Sequence, residues 1–369
     1  MANWTTHRRV ALAALLAIAA PMARPHASTG VIDARTATPQ ACTAEQGQAF
    51  IDEGRYDKAI AEFSCVIDAQ PTGVEGYRGR IEAELLLGRF SDAVGDYTLV
   101  TSYVVPVHPD AGSLILAGYA ERLAAAPNDV AALTGASFAR WWLFQYAQAI
   151  QQLHTLLAVK PDDVYGNLFR GSSRVLRGAT PAQGIADLEH AIALAPDSPD
   201  VRFIVADAYT YGLPDANRAL AEATFALDGG LDTPRVHAII GAAHHALGNE
   251  ALSAAHIARH LELVTTELVV TSPLAANASM SLTIVPGRTF EIPMHVTAGQ
   301  TLSLMTSSQP IWDTILVVLD PGGTPVVGSD DYRVYYAGLE WTAPATATYL
   351  VRVTSFEAAT PGEMLITRK

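Results

Sequence analysis

The chain is poor in several residue types, and each shortage excludes a class of protein. Only 17% of its 369 residues are charged, and Asp and Glu outnumber Lys and Arg by 37 to 24, which gives a formal net charge of −13. Because phosphate binding needs clustered Lys and Arg, this balance argues against general nucleic-acid binding. Beyond the first residues, no apolar run is long enough to span a bilayer.

Motifs of common catalytic sites are also missing. No G-x-S-x-G, HExxH or Gly-rich phosphate loop is present. Histidines concentrate late in the chain, at His237, His244, His245, His256 and His260. His256 and His260 are four residues apart and share a helix face, so a zinc-dependent hydrolase is one alternative. The other explanation is a small-residue helix with surface histidines. We predict no catalytic residues.

The first residues resemble an export signal. MANWTTHRR is basic, and the apolar run VALAALLAIAA follows it. This run is too short for a stable membrane anchor. We predict a signal peptide over residues 1–27 and a linker over 28–41. The protein is therefore expected to be a secreted or periplasmic bacterial-type protein, with association to the cell surface as an open alternative.

A small–aromatic–proline pattern recurs at a period of about 34 residues. Gly54, Tyr56, Ala59, Phe63 and Pro71 are matched 34 residues later by Gly88, Phe90, Ala93 and Tyr97, with Pro106 near the expected place. Small residues permit close helix approach, aromatic residues fill the space between pairs, and proline ends the second helix. The pattern resembles the tetratricopeptide repeat family, with about six copies over residues 42–264. The resemblance implies an α-helical solenoid with a concave groove.

Two features depend on this alignment. Residues 102–127 break the period and contain one convincing helix, near 111–125, where a pair is expected. Cys42 and Cys65 fall on the two antiparallel helices of the first repeat. In an oxidising compartment they form a disulfide; otherwise they are two buried thiols.

After residue 264 the period changes. Residues 265–278 are predicted to be a linker, and TFEIPMHV then alternates with Phe290, Ile292, Met294 and Val296 on one face. Several short strands with turns such as DPGGTP follow. They predict an antiparallel β-sandwich or jelly roll over 279–369, so that the fold class is α plus β in two domains.

This segment resembles the bacterial pre-peptidase C-terminal domain. The resemblance rests on WDTILVVLDPGGTP, SDD and TAPATATYLVRV, and it departs from the family at Ala347, where glycine is usual. It implies an accessory, non-catalytic role, with calcium bound in some relatives. Asp313, Asp330 and Asp331, together with Asp320, are calcium candidates; the alternative is that they only stabilise turns.

The first helix of each repeat supplies the candidate binding residues. The groove candidates are Arg78, Glu82, Phe138, Trp141, Tyr165, Ser172, Arg202, Tyr209, Arg235 and His245. Aromatic and Arg side chains are typical anchors for a peptide or sugar chain. The alternative is that Phe138, Trp141 and Tyr209 belong to the core between repeats.

The leading hypothesis is therefore an exported, non-enzymatic protein that binds a protein or peptide in its groove. Its β-sandwich would dock to an extracellular surface, a polysaccharide or the helical repeats. The second hypothesis is a carbohydrate-binding protein that acts through the sandwich, with or without calcium. No cofactor is predicted apart from that calcium.

Overall fold

The computed structural model describes residues 42–70, 73–89, 92–93, 96, 111–178, 180–285, 287–309, 314–329, 337–355 and 362–369. The predicted signal peptide, the 28–41 linker, and Asp313, Asp330 and Asp331 lie outside these residues. The chain divides into two compact units. One contains the described part of 19–174 together with 189–194, and the other contains 175–188 and 195–369.

The described helices run from Ala44 to Val264. In chain order they are α1 Ala44–Asp52, α2 Tyr56–Ala69, α3 Val74–Leu86, α4 Ala111–Ala125, α5 Val130–Trp142, α6 Tyr146–Val159, α7 Val164–Arg177, α8 Pro181–Leu194, α9 Pro199–Asp207, α10 Ala216–Asp228, α11 Pro234–Ala246 and α12 Glu250–Val264. None of these helices is long and apolar enough to cross a membrane.

Local sequence explains where these helices begin and end. The side chains of Thr43, Asp129 and Thr233 precede α1, α5 and α11, and each accepts a hydrogen bond from a backbone N–H of the first turn. Gly54, which follows α1, has a φ of +71°, a conformation that glycine adopts without steric cost. The capping residues therefore divide the helical region into short hairpins.

The small–aromatic pattern packs as the repeat predicts. Phe63 of α2 is 2% exposed and lies against Gly47 of α1 and Gly79 of α3. A Cβ atom at either glycine would overlap the Phe63 ring. One aromatic ring thus fills the space between two first helices, which is possible only because both positions lack a side chain.

The first hairpin is also closed covalently. Cys42 and Cys65 form a disulfide, and their Cα atoms are 5.9 Å apart. The bridge joins the residue before the Thr43 cap to the middle of α2. It therefore fixes the end of the array, where helices otherwise fray.

The C-terminal region is a sandwich of two sheets. Its strands are β1 Glu267–Val270, β2 Ala278–Ile284, β3 Arg288–Val296, β4 Thr301–Gln309, β5 Thr314–Leu319, β6 Pro325–Ser329, β7 Gly338–Thr342, β8 Ala347–Ser355 and β9 Gly362–Arg368. The orders are β1-β3-β8-β5-β6, called sheet A here, and β2-β9-β4-β7, called sheet B. Ile292, Met294 and Val296 of β3 are fully buried between the sheets, as the alternation predicted.

The prediction of a linker over residues 265–278 was wrong. Glu267–Val270 is strand β1, and it pairs with β3 in parallel. Val269 packs against the sandwich core, in which Leu274 is buried. The segment follows α12 directly, and its backbone pairs with β3 while the side chains of Leu268 and Val270 stay exposed. The sandwich therefore begins immediately after the last helix.

One face of sheet A is covered by α12. Ile257 and Leu261 of α12 are buried with Ile315, Val317 and Leu319 of β5. Gly328 of β6 lies under Ile257, and a Cβ atom there would lie 3.2 Å from that side chain. All of these residues belong to one compact unit. The apolar outward residues of β5 are therefore used for packing against a helix.

Candidate functional site

The first two groove candidates contact the irregular helix α4. Arg78 and Glu82 lie on α3, four residues apart. The Arg78 side chain packs on Gly118 of α4, and the Tyr119 hydroxyl donates a 3.2 Å hydrogen bond to the Arg78 carbonyl oxygen. Tyr119 is 1% exposed. The face predicted to bind a partner is thus occupied here by a helix of the same chain.

Arg122 of α4 connects three elements of this face. Its guanidinium donates to Gln48 of α1 at 3.1 Å, to Glu82 at 2.5 Å and to the Asp129 cap of α5 at 2.7 Å. Burial raises the pKa of Glu82, and the charge of Arg122 opposes that shift. The cation therefore compensates a carboxylate that has almost no access to water.

The aromatic candidates of the next repeats lie in the core. Phe138 and Ser172 have no exposed surface, and Trp141 is 3% exposed. The Trp141 indole N–H donates to the Ser172 hydroxyl at 3.0 Å, and the Trp141 and Phe169 rings are 5.5 Å apart. The prediction that these residues line an open groove was wrong. Their side chains pack on one another, as the core alternative proposed.

Tyr165 connects two repeats that are far apart in sequence. It is 9% exposed, and its hydroxyl donates a 2.8 Å hydrogen bond to the carbonyl oxygen of Gly88. Its ring lies 5.9 Å from that of Phe169. Tyr165 therefore serves packing in this structure rather than lining an open groove.

Arg202 and Tyr209 belong to a polar cluster in the second unit. Arg202 pairs with the buried Glu222 at 2.9 Å and lies over the Phe225 ring, with 4.6 Å to its centroid. Arg218 also pairs with Glu222, at 2.8 Å, and lies 5.5 Å from the Tyr209 ring centroid. Tyr209 is 8% exposed. Phe225, which is 39% exposed, is a surface aromatic that the sequence analysis missed.

Arg235 and His245 differ sharply although both lie on α11. Arg235 is 5% exposed, pairs with the buried Asp207, and has its guanidinium 5.2 Å from the Tyr211 ring centroid. Tyr211 lies in a short π-helical turn, Ala208–Gly212, and packs against the apolar cluster that joins α12 and β5. The side chain of His245 is 69% exposed. Of the ten groove candidates, it is the one most open to solvent.

The late histidines pair differently from the sequence prediction. His256 faces His237 of α11, with their Nδ1 atoms 2.8 Å apart, whereas His260 is buried with 1% exposure. Burial, assisted by His237 and His244, lowers the pKa of His256 to about 4. Among the described residues, no three His, Cys, Asp or Glu side chains are arranged to hold a metal ion. The helical i, i+4 pair is therefore not the pair that the fold brings together.

In the sandwich, Asp320 acts as a turn residue. Its Oδ1 accepts hydrogen bonds from the backbone N–H groups of Gly322 and Thr324, both at 2.8 Å. This is the turn chemistry considered as the alternative to calcium binding. The other three aspartate candidates lie outside the described residues.

The helical region is similar to known repeat proteins. Residues 45–100 match the family model described as tetratricopeptide repeat. A solved thermophilic TPR protein of Thermus thermophilus is 22% identical, with 54% of this chain and 96% of that chain covered and a TM-score of 0.35. A tetratricopeptide repeat protein from Parabacteroides merdae is 16% identical, with 59% and 91% covered and a TM-score of 0.38.

The sandwich has a structural match of its own. It is the pre-peptidase C-terminal domain of a Bacillus anthracis collagenase, at 10% identity, with 28% of this chain and 95% of that chain covered and a TM-score of 0.24. No curated protein matches the sequence. The first helices of the chain, within residues 45–100, are thus similar to the tetratricopeptide repeat family.

Proposed function

We propose that this chain is an exported, non-enzymatic interaction protein whose repeats bind a protein or peptide. The observation that carries the proposal is the packing of α4 across α1, α3 and the start of α5. Hydrogen bonds to Gln48, Glu82 and Asp129 hold the helix there. Side chains of the predicted groove are thus chemically suited to hold a helix. Export is supported by the basic and apolar start of the sequence and by the Cys42–Cys65 disulfide.

We assign the sandwich an accessory role, as an attached module that presents sheet B. Exposed hydroxyl groups line part of this sheet: Ser281 and Thr283 both donate to Glu363, at 2.8 and 2.9 Å. Such a face supports the second candidate function, carbohydrate binding by hydrogen bonds. Binding of the full chain to a glycan array, with and without chelator, tests that candidate and its calcium dependence.

Site-specific photocrosslinking tests the protein-binding role. A photoreactive residue replaces the exposed His245 in one variant and the exposed Lys58 of α2 in a control variant. Each is mixed with the exported proteins of the source cells. A distinct adduct from position 245 that is weaker from position 58 would support binding on the first-helix face. If neither position gives a specific adduct, the interaction role is contradicted.

A further inference from the structure

We propose that His237 and His256 form a binding site for a borderline divalent transition metal such as Zn²⁺. The site lies between α11 and α12, and neither histidine is one of the groove candidates. His244 and water complete the coordination. It replaces the His256–His260 pair that the sequence suggested, because His260 points into the buried core.

The two ring nitrogens already converge. The Nδ1 atoms are 2.8 Å apart, the ring centroids are 5.0 Å apart, and the ring planes differ by 30°. Zn–N bonds of about 2.0–2.1 Å in a tetrahedral site place two ligand nitrogens about 3.3 Å apart. An opening of about 0.5 Å, within reach of small side-chain rotations, converts the hydrogen-bonded pair into a chelating pair.

Asp232 orients the first of these rings. Its Oδ1 lies 2.8 Å from Nε2 of His237, and its Oδ2 accepts a 2.7 Å hydrogen bond from Arg259. The bond to Arg259 holds this carboxylate in place beside His237. With the Nε2–H donated to Asp232, the Nδ1 lone pair of His237 faces His256. This is the carboxylate–histidine–metal arrangement found at many metal sites.

The second and third rings are available as ligands. His256 donates its Nδ1–H to the Nδ1 of His237 in the present pair, and metal binding requires the His256 tautomer with its proton on Nε2, which frees the Nδ1 lone pair. The His244 ring centroid is 5.8 Å from that of His256. The buried Nδ1 of His244 has no hydrogen-bond partner among the described residues. Rotation of His244 brings a third nitrogen toward the pair and satisfies that atom.

The affinity should be moderate. Two ligands are in place, and the third must move, so the site lacks the four preformed ligands of a structural zinc site. Imidazole ligands favour Zn²⁺, Cu²⁺ and Ni²⁺ over Ca²⁺ and Mg²⁺, which prefer oxygen. We therefore expect one Zn²⁺ per chain with a dissociation constant in the micromolar range and no comparable Ca²⁺ binding.

Isothermal titration of the chelator-treated full chain with Zn²⁺ tests the proposal. His237→Ala and His256→Ala should each weaken binding at least about tenfold, and Asp232→Asn should weaken it by about tenfold. The control is His190→Ala, which removes an exposed histidine from α8, outside the two helices of the site, and should leave binding unchanged.

Three results would overturn the proposal. They are no Zn²⁺ binding to the wild-type chain at Zn²⁺ concentrations well above the micromolar range, undiminished binding in the His237→Ala/His256→Ala double variant, and equal losses in the His190→Ala control. Circular dichroism of each variant verifies folding. If His237→Ala does not fold, the half-buried His256 gives the same test through His256→Ala alone. None of these readouts depends on a protein partner.

Discussion

Arg122 of α4 and Glu82 of α3 form an ion pair at 2.5 Å, and the Glu82 side chain is only 1% exposed. The two residues are 40 positions apart in sequence. Their pairing places the helix that breaks the repeat period on the face of the preceding repeats. The irregular region is thus a packing element, held by a cation that the period alone does not reveal.

Removal of that cation should destabilise the first unit. Arg122→Ala leaves the Glu82 carboxylate buried without compensation, and we expect a loss of about 3–5 kcal/mol. Hydrogen exchange over residues 111–125 should accelerate. Glu82→Gln in the same chain should recover part of the loss, and Arg177→Ala, at an exposed position, serves as the control. Unchanged exchange in Arg122→Ala would show that α4 is held by other contacts.

Loss of the disulfide should loosen the first hairpin. The bridged residues are 23 positions apart, and a loop of this size gives a chain-entropy stabilisation of about 3 kcal/mol. Cys42→Ser/Cys65→Ser should therefore unfold at lower temperature in differential scanning fluorimetry. Reductant should lower the unfolding temperature of the wild-type protein by a similar amount and leave the unfolding temperature of the variant unchanged. A wild-type protein insensitive to reductant would contradict this expectation.

The contact between α12 and sheet A should depend on Ile257. Ile257→Ala removes a side chain that is 3% exposed and packs against β5 and Gly328 of β6. A buried Ile-to-Ala change costs about 2–5 kcal/mol. We expect faster proteolysis near residues 265–266, measured by mass spectrometry. Leu252→Ala on the same helix is the control, since Leu252 is 51% exposed and should change little.

His260 should make the second unit sensitive to acid. Burial, with the nearby charges of His237 and Arg235 acting in the same direction, lowers the pKa of His260 from 6.5 to about 3. Between these values the unfolded chain binds a proton that the folded chain excludes. The contribution of His260 to the free energy of unfolding is therefore complete above about pH 6.5 and is lost as the pH decreases toward 3, by on the order of 5 kcal/mol.

Urea unfolding at several pH values measures this effect. His260→Gln should flatten the dependence on pH between about 6.5 and 4, although its stability at neutral pH is lower than that of the wild type. His245→Gln, at an exposed position, should retain the wild-type slope. Equal slopes in wild type and His260→Gln would rule out His260 as the source.

The repeat period predicted the helical pairing because its signal is local. The packing of Phe63 requires a glycine on each of two neighbouring first helices, and the spacing of these residues can be read from the sequence. The alternation of β3 was equally visible, since a strand with one buried face must repeat every second residue. By contrast, β1 was mistaken for a linker because four residues next to a helix carry too weak a pattern to show that a sheet edge is nearby.

The candidate binding residues were harder to predict. Phe138 and Trp141 have the composition of a binding surface, but the same composition fills a core, and a shift of one residue exchanges the two. The partner of Glu82 lies in the region where the repeat alignment fails. The histidine pair was missed because helical spacing relates residues of one helix, whereas His237 and His256 meet across two.

The amino-acid sequence by itself determined the helix-hairpin period, the strand-rich end and the residues able to form caps and turns, because each depends on neighbours within a few positions. Only the tertiary structure decided which side chains are covered: α4 over Glu82, α12 over sheet A, and His237 against His256. Burial and charge pairing are set by elements distant in sequence, and these contacts exist only once the chain has packed.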